Sequence, residues 1–191
     1  MTAFIAPPPR IPWYLCLGLR VARRRSGRDL LPAQLLAWYP RAALGSGVLE
    51  SLVAHREPSR RLLKLVRVTA SLTASCPFCV DMNSFGAAAA GVAEAELAAL
   101  QRGTEGGLAT LTPRERAAIA YANAMTTDPH TVTQEQVDDL RRRFGAAGVV
   151  ELTYQVGVEN MRARMNSALG ITEQGFGSGE SCRVPWATEA N

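Results

Sequence analysis

Cys76-Pro77-Phe78-Cys79-Val80-Asp81-Met82-Asn83-Ser84-Phe85 stands between two helix-like runs and organises the chain. One helical turn brings Cys76 and Cys79 to the same face. That spacing allows a reversible disulfide with a very small loop. Pro77 suits the first position of a helix, with Cys76 just outside it. The orphan N–H groups and the positive helix end would then favour a thiolate. The same motif also serves zinc sites and pairs of small buried thiols that pack like alanine. A structural zinc site takes about four ligands, usually as two paired motifs. The chain has no second C-x-x-C, and Cys16, Cys182, His55 and His130 are isolated. Redox use of Cys76 and Cys79 is therefore the leading reading, with no metal and no cofactor expected.

The 191 residues suit a single domain with a sizeable core. Hydrophobic residues make up 47% and charged residues 20%, which excludes a disordered chain. The net charge of +4 is modest, and Lys64 is the only lysine among 21 basic residues. The apolar stretch from Ile11 to Leu19 precedes its arginines, whereas a secretory signal puts charge first. No run of about 18 apolar residues is present, so no membrane span is expected. Without an export signal, the four cysteines read as intracellular thiols and the localisation as cytoplasmic.

Residues 1–10 form a Pro-rich lead expected to be an extended arm. Ile11 to Arg28 is apolar and then basic, with Arg20, Arg23, Arg24, Arg25 and Arg28. It reads as a docking helix with a solvated arginine face rather than a nucleic-acid or membrane contact, because no aromatic residues are interleaved with the arginines. Asp29 to Glu50 has roughly helical spacing, with Pro32, Pro40 and Gly45-Ser46-Gly47 as breakers. Pro58 and Ser59 open a dense apolar helix to about Ala74, which should lie deep in the fold. Cys76 begins the next helix, expected to reach about Gly91. Ala93 to Leu100 is a short helix and Gly103 to Gly107 a flexible loop. Thr112-Pro113-Arg114-Glu115 combines an N-cap, an N1 proline and a capping-box glutamate. Thr133-Gln134-Glu135-Gln136 is a second capping box, and its helix ends at Phe144-Gly145. The last helix runs from about Ala146 to Leu169, with Val150, Tyr154, Val158, Met161, Met165 and Leu169 as the expected core stripe. The tail from Ile171 to Asn191 is expected to be an extended wrap. No convincing strand is found, so the class is all-α.

Cys76-Pro77-Phe78-Cys79-Val80-Asp81-Met82 resembles the core of the carboxymuconolactone decarboxylase and alkyl hydroperoxidase D (AhpD-like) superfamily. Leu111-Thr112-Pro113-Arg114-Glu115-Arg116-Ala117 resembles its second helix start. Val150-Glu151-Leu152 and Glu159-Asn160-Met161 through Asn166-Ser167-Ala168-Leu169-Gly170 resemble its closing helix. The resemblance covers 55–175, with 1–54 as an N-terminal arm and helices and 176–191 as a C-terminal tail. It implies an all-α fold of about seven to eight helices. It also implies a homo-oligomer, either a trimer or a ring built from dimers or trimers, and no nucleic-acid or membrane partner is expected.

In the hydroperoxidase branch the resemblance implies that Cys79 attacks a peroxide, Cys76 resolves the sulfenic acid, and an external dithiol protein reduces the disulfide. A nearby second thiol prevents over-oxidation. That branch places a histidine four residues after the second cysteine and a glutamate twelve before the first, as a proton relay. Here those positions are Asn83 and Lys64. Asn83 can hydrogen-bond but cannot shuttle a proton, and Lys64 is a poor base unless desolvated. His55, His130, Glu57, Asp81, Glu151 and Glu159 are the substitutes the sequence offers, and it places none of them beside Cys79. Asp81 should point to another face, with no catalytic role. Phe78 reads as core. The decarboxylase branch acts on a lactone acid, for which Lys64 and Arg67 would supply an anion pocket. A redox-responsive oligomer without turnover is the third reading.

Overall fold

The computed structural model describes residues 3–52, 58–102 and 109–177. All regular structure among them is helical. The chain forms two compact units, Met1–Ala54 with Ala168–Ile171, and His55–Ser167 with Thr172–Asn191.

In the first unit, α1 (Trp13–Ser26) ends where Gly27 takes the left-handed conformation at φ 76°. Its arginines are exposed as expected, but so are Trp13, Tyr14, Leu17 and Val21, while Leu15 is buried. Pro32 sits in the first turn of the short α2 (Leu31–Leu35), and Pro40 opens α3 (Pro40–Leu52). Gly45-Ser46-Gly47 was expected to break this segment, yet α3 runs through it. Each helical glycine costs only about 1 kcal/mol against alanine, and the leucines, alanines and valine around them outweigh that. The arm before α1 is non-helical and tied down: Phe4 N–H donates to the Leu169 carbonyl at 2.8 Å and Trp38 Nε1 to that of Ala6 at 2.9 Å.

The second unit is built around α4 (Arg60–Thr73), opened by Ser59, whose Oγ accepts from Leu62 N–H at 3.1 Å. Leu65, Val66, Val68 and Ala70 are fully buried, so α4 lies as deep as its apolar density requires. One side packs Leu62, Val66 and Ala70 against α7 (Pro113–Thr127) and α8 (Gln134–Ala168). The other packs Leu65 and Val68 against Leu97 of α6 (Glu94–Arg102), together with Val92, Leu111 and Ile119. Fully burying each of these aliphatic side chains contributes about 1.5–3 kcal/mol. The capping box at Thr112 and Glu115 is complete, and Thr133 Oγ1 accepts from Gln136 N–H at 3.3 Å. Gly145, at φ 70° and ψ 171°, interrupts α8 where the sequence placed a helix end.

Two expectations fail in this unit. The helix begun at Cys76, α5 (Pro77–Ser84), stops short of Gly91. Phe85 is extended, Gly86 turns the chain at φ 70°, and one 3-10 turn follows over Ala88–Ala90. The Phe85 carbonyl, which a longer helix would use, is taken by Lys64 Nζ at 2.6 Å. The apolar stripe of α8 also faces outward: Val150, Tyr154, Met161 and Met165 are exposed, and Val158 and Leu169 are half-buried. The buried face is Leu152, Val156, Glu159, Ala163 and Asn166, which has the same helical period but mixes polar with apolar residues.

Arg61 locks the unit electrostatically. Its Nη2 meets Glu96 Oε1 at 2.6 Å, Nη1 donates to Glu96 Oε2 at 2.9 Å and to the Gly91 carbonyl, and Nε meets Glu115 Oε1 at 2.7 Å. The bond to Glu96, then that to Glu115, raises the Arg61 pKa further above its usual value.

Candidate active site

A tight turn leads from α4 into the cysteine pair. Ser75 N–H donates to the Leu72 carbonyl and Cys76 N–H to that of Ser71. Ser75 adopts φ 52°, the only positive φ of a non-glycine residue among those described. A left-handed non-glycine residue costs about 1–2 kcal/mol, which the surrounding packing must offset to place the pair. Cys76 is the N-cap of α5 and Pro77 its first residue, as the sequence indicated. The cysteines are joined as a disulfide with Cα atoms 5.2 Å apart.

Both sulfurs are shielded and hydrogen-bonded. Cys76 is fully buried and Cys79 nearly so. Cys79 N–H donates to Cys76 Sγ at 3.3 Å, and Asn166 Nδ2 of α8 donates to Cys79 Sγ at 3.4 Å. A donor on Cys79 and a helix N-terminus under Cys76 both stabilise negative charge on sulfur in the reduced state.

One turn past Cys79, Asn83 points across the helix interface. Its Nδ2 donates to Glu159 Oε1 at 2.8 Å and to Ser71 Oγ at 3.0 Å. Ser71 Oγ lies 3.1 Å from the same Glu159 oxygen and donates to the Arg67 carbonyl at 2.7 Å. Glu159 is only 2% exposed. Burial pushes its carboxyl above the usual range, against the opposing pull of Arg67, Ser71, Asn83 and Lys64. Arg162 Nη1 stands 3.7 Å from Glu159 Oε2.

Lys64 and Arg67 face this carboxyl from α4. Burial, then the neighbouring Arg67, brings Lys64 down to about 8, while Glu159 opposes the shift. Arg67 Nη2 donates to Gln155 Oε1 at 2.5 Å, and burial lowers its pKa.

Of the substitutes offered by the sequence, Glu159 bonds Asn83. Asp81 does point elsewhere: its Oδ2 accepts from Gln174 N–H at 2.8 Å and its Oδ1 from Gly177 N–H at 2.7 Å. The described start of the tail is thereby extended along α5, and Phe176 meets Phe78 and Phe85 edge-on. Phe78 is core, as expected. His130 is exposed in a 3-10 turn, and Glu151 lies eight residues before Glu159 in α8. His55, Glu57, Cys182, the rest of the tail and the loop Gly103 to Gly107 lie outside the described residues. Cys16 is a free thiol on α1 whose Sγ donates weakly to the Ile11 carbonyl. Among the described residues no group of three His, Cys, Asp or Glu side chains gathers to hold a metal. Sequence reasoning assigned no role to Asn166, because an asparagine on a distant helix gives no local signal of its partner.

An all-α unit presenting a buried C-x-x-C at the head of a short helix defines the class, an AhpD-like fold, and the chain belongs to one family with a curated relative. It is similar to the uncharacterised protein YnjA of Escherichia coli, 30% identical over 186 residues that cover 95% of this chain and 97% of YnjA. No family model matches the chain. Among solved structures it resembles the debrominase Bmp8, a cysteine-to-alanine variant of which was solved with 2,3,4-tribromopyrrole, at 21% identity and a TM-score of 0.76 over 92% of this chain and 94% of Bmp8. It also resembles an uncharacterised peroxidase-related protein with an AhpD core from Ralstonia eutropha, at 18% identity and a TM-score of 0.74 over 92% of this chain and 95% of that one. At these identities the structures establish the shared fold.

Proposed function

We propose that the protein is a thiol-dependent oxidoreductase that cycles between a Cys76–Cys79 dithiol and the disulfide. The observation that carries this reading is the disulfide itself: two shielded sulfurs at a helix N-terminus, with Asn166 donating to Cys79. In the forward half-cycle the Cys79 thiolate attacks the distal oxygen of a peroxide and displaces an alkoxide. Cys79 becomes a sulfenic acid, Cys76 attacks that sulfur, and water leaves as the disulfide forms. A dithiol protein returns both thiols to the reduced state in a cytoplasmic setting that keeps thiols reduced. The fold shared with a debrominase adds a second class of soft electrophile, a carbon-bound bromine, open to the same sulfur attack.

The protomer is further proposed to work as a homo-oligomer. The outward stripe Val150, Tyr154, Met161 and Met165 supports this, since four exposed apolar side chains on one helix face suit a partner.

The test is exposure of the reduced full-length protein to hydrogen peroxide, an organic hydroperoxide and a bromopyrrole, with intact mass and thiol counting. Loss of two hydrogens at Cys76 and Cys79, reversed by a dithiol and abolished in Cys79→Ser, is expected. Four free thiols after every treatment would retire the redox reading and turn the search to small acids at Lys64 and Arg67.

A further inference from the structure

α1 carries apolar residues on two faces and packs only one of them. Leu15, Leu19, Ala22 and Ser26, spaced four, three and four apart, turn inward: Leu15 and Ser26 are buried and the other two half-buried. Trp13, Leu17, Arg20 and Arg24 repeat that spacing on the outward side, and Tyr14, Val21 and Arg25 run beside them. All of these outward residues are exposed, Trp13 at 83% and Leu17 at 63%. The outward face is therefore apolar toward its N-terminal end and arginine-rich toward its C-terminal end. An arginine can lay its alkyl stem along such a strip and keep its guanidinium in water. The sequence argued against a membrane contact because no aromatic residue stands among the arginines. The helix nonetheless brings Trp13 and Tyr14 onto the same face as Arg24 and Arg25, three turns away.

The positive charge of the chain is concentrated in this unit. Residues 1–54 hold seven arginines against Asp29 and Glu50, a net +5, whereas the whole chain is at +4. The remaining residues therefore sum to −1. Such asymmetry points to an anionic partner, and the apolar strip narrows the choice. A second copy would bring one +5 unit against another, or against a remainder with almost no net charge to attract it. A nucleic acid would neutralise the arginines but leave Leu17 and Val21 in water. An anionic bilayer suits both ends of the face. Lipid phosphates pair with the arginines, the Trp13 and Tyr14 rings suit the headgroup level, and Leu17 and Val21 enter the acyl boundary. No described helix is long and apolar enough to cross a membrane, so the contact is interfacial.

We propose that the outward face of α1 docks the protein on an anionic phospholipid surface, with the helix lying in the plane of the interface. The proposal is independent of the thiol reading, and no result at Cys76 and Cys79 bears on it.

The experiment is sedimentation of the full-length protein with vesicles of phosphatidylcholine alone, or of three parts phosphatidylcholine to one part phosphatidylglycerol. Salt is set at about 0.05 M and about 0.5 M. Wild type is expected to pellet with the mixed vesicles in low salt, and to bind more weakly in high salt or without phosphatidylglycerol. Arg20→Gln, Arg24→Gln and Arg25→Gln combined should weaken binding about 100-fold, from about fivefold for each arginine. Trp13→Ser and Leu17→Ser should each weaken it about tenfold. These positions are exposed, so circular dichroism should match wild type, and if one set fails to fold the other carries the test. No binding to mixed vesicles in low salt would overturn the proposal. So would binding that only the arginine variant weakens, which is adsorption by charge without insertion. Wild-type vesicle binding by the Trp13→Ser and Leu17→Ser variants, with a smaller assembly in light scattering, would assign the face to a second copy instead. Tighter binding to duplex DNA than to the mixed vesicles, lost only with the arginines, would assign it to nucleic acid.

Discussion

Asp81 offers a prediction whose size follows from counted bonds. Its carboxylate is buried, and both oxygens accept from tail backbone N–H groups, Gln174 at 2.8 Å and Gly177 at 2.7 Å. Charge-assisted bonds of this kind contribute about 1.5–3 kcal/mol each. Asp81→Ala removes both, so the 172–177 segment should open more easily by about 3–6 kcal/mol, roughly a 150- to 25,000-fold rise in its open population. Asp81→Asn keeps one acceptor and should give about half that energy, roughly a 10- to 150-fold rise. The assay is amide hydrogen exchange of the Gln174 and Gly177 N–H groups in the oxidised protein. Protection should fall in the order wild type, Asn, Ala, while the amides of α4 change little. Release of the tail also frees Phe176 from Phe78, one of the two residues between the cysteines. Thiol alkylation in the reduced Asp81→Ala protein should therefore quicken. Unchanged protection at Gln174 and Gly177 in Asp81→Ala would refute the reasoning.

Two further outcomes are expected. Arg61→Met strips the shared cation from Glu96 and Glu115 and should cost about 2–3 kcal/mol at pH 7 after allowance for the partly exposed guanidinium. Arg61 bonds lower Glu96, and although burial alone would raise Glu115, bonds from Thr112 and Arg61 bring it down. Folded values below the usual 4.5 mean that this stability is complete above pH 4.5 and disappears as pH falls through the folded values. The gap between wild type and variant in urea unfolding should therefore shrink in acid, and a pH-independent gap would contradict the assignment. For the outward stripe of α8, light scattering should give wild type a multiple of 20.5 kDa and Met161→Glu a smaller assembly; a monomeric wild type would end that proposal.

What the sequence made legible was local. Ser59, Thr112 and Thr133 open helices because each cap is set within four residues of chain, and Gly145 interrupts one for the same reason. Cys76 and Cys79 were legible because their chemistry requires only one helical turn. The failures were tertiary. The helix from Cys76 ends early where Gly86 turns the chain at φ 70°, and Lys64, on another helix, takes the Phe85 carbonyl that a longer helix would use. The apolar stripe of α8 has the right period but faces outward, because periodicity finds a face without saying what it meets.

The relay positions show where that boundary falls. Read by position, Asn83 and Lys64 are losses: a residue that cannot shuttle a proton and a cation where a carboxylate was expected. A carboxyl approaches these positions from the other side: Glu159 on α8 accepts from Asn83 at 2.8 Å and faces Lys64 and Arg67. A cation on α4 and a carboxylate on α8 suit one another, because a buried carboxylate facing no cation would be costly. Lys64, brought to about 8 chiefly by burial and then by Arg67, makes the exchange informative. Two cations side by side on α4 favour an acid across the interface. The pair is thus intelligible as a unit only once both helices are in place.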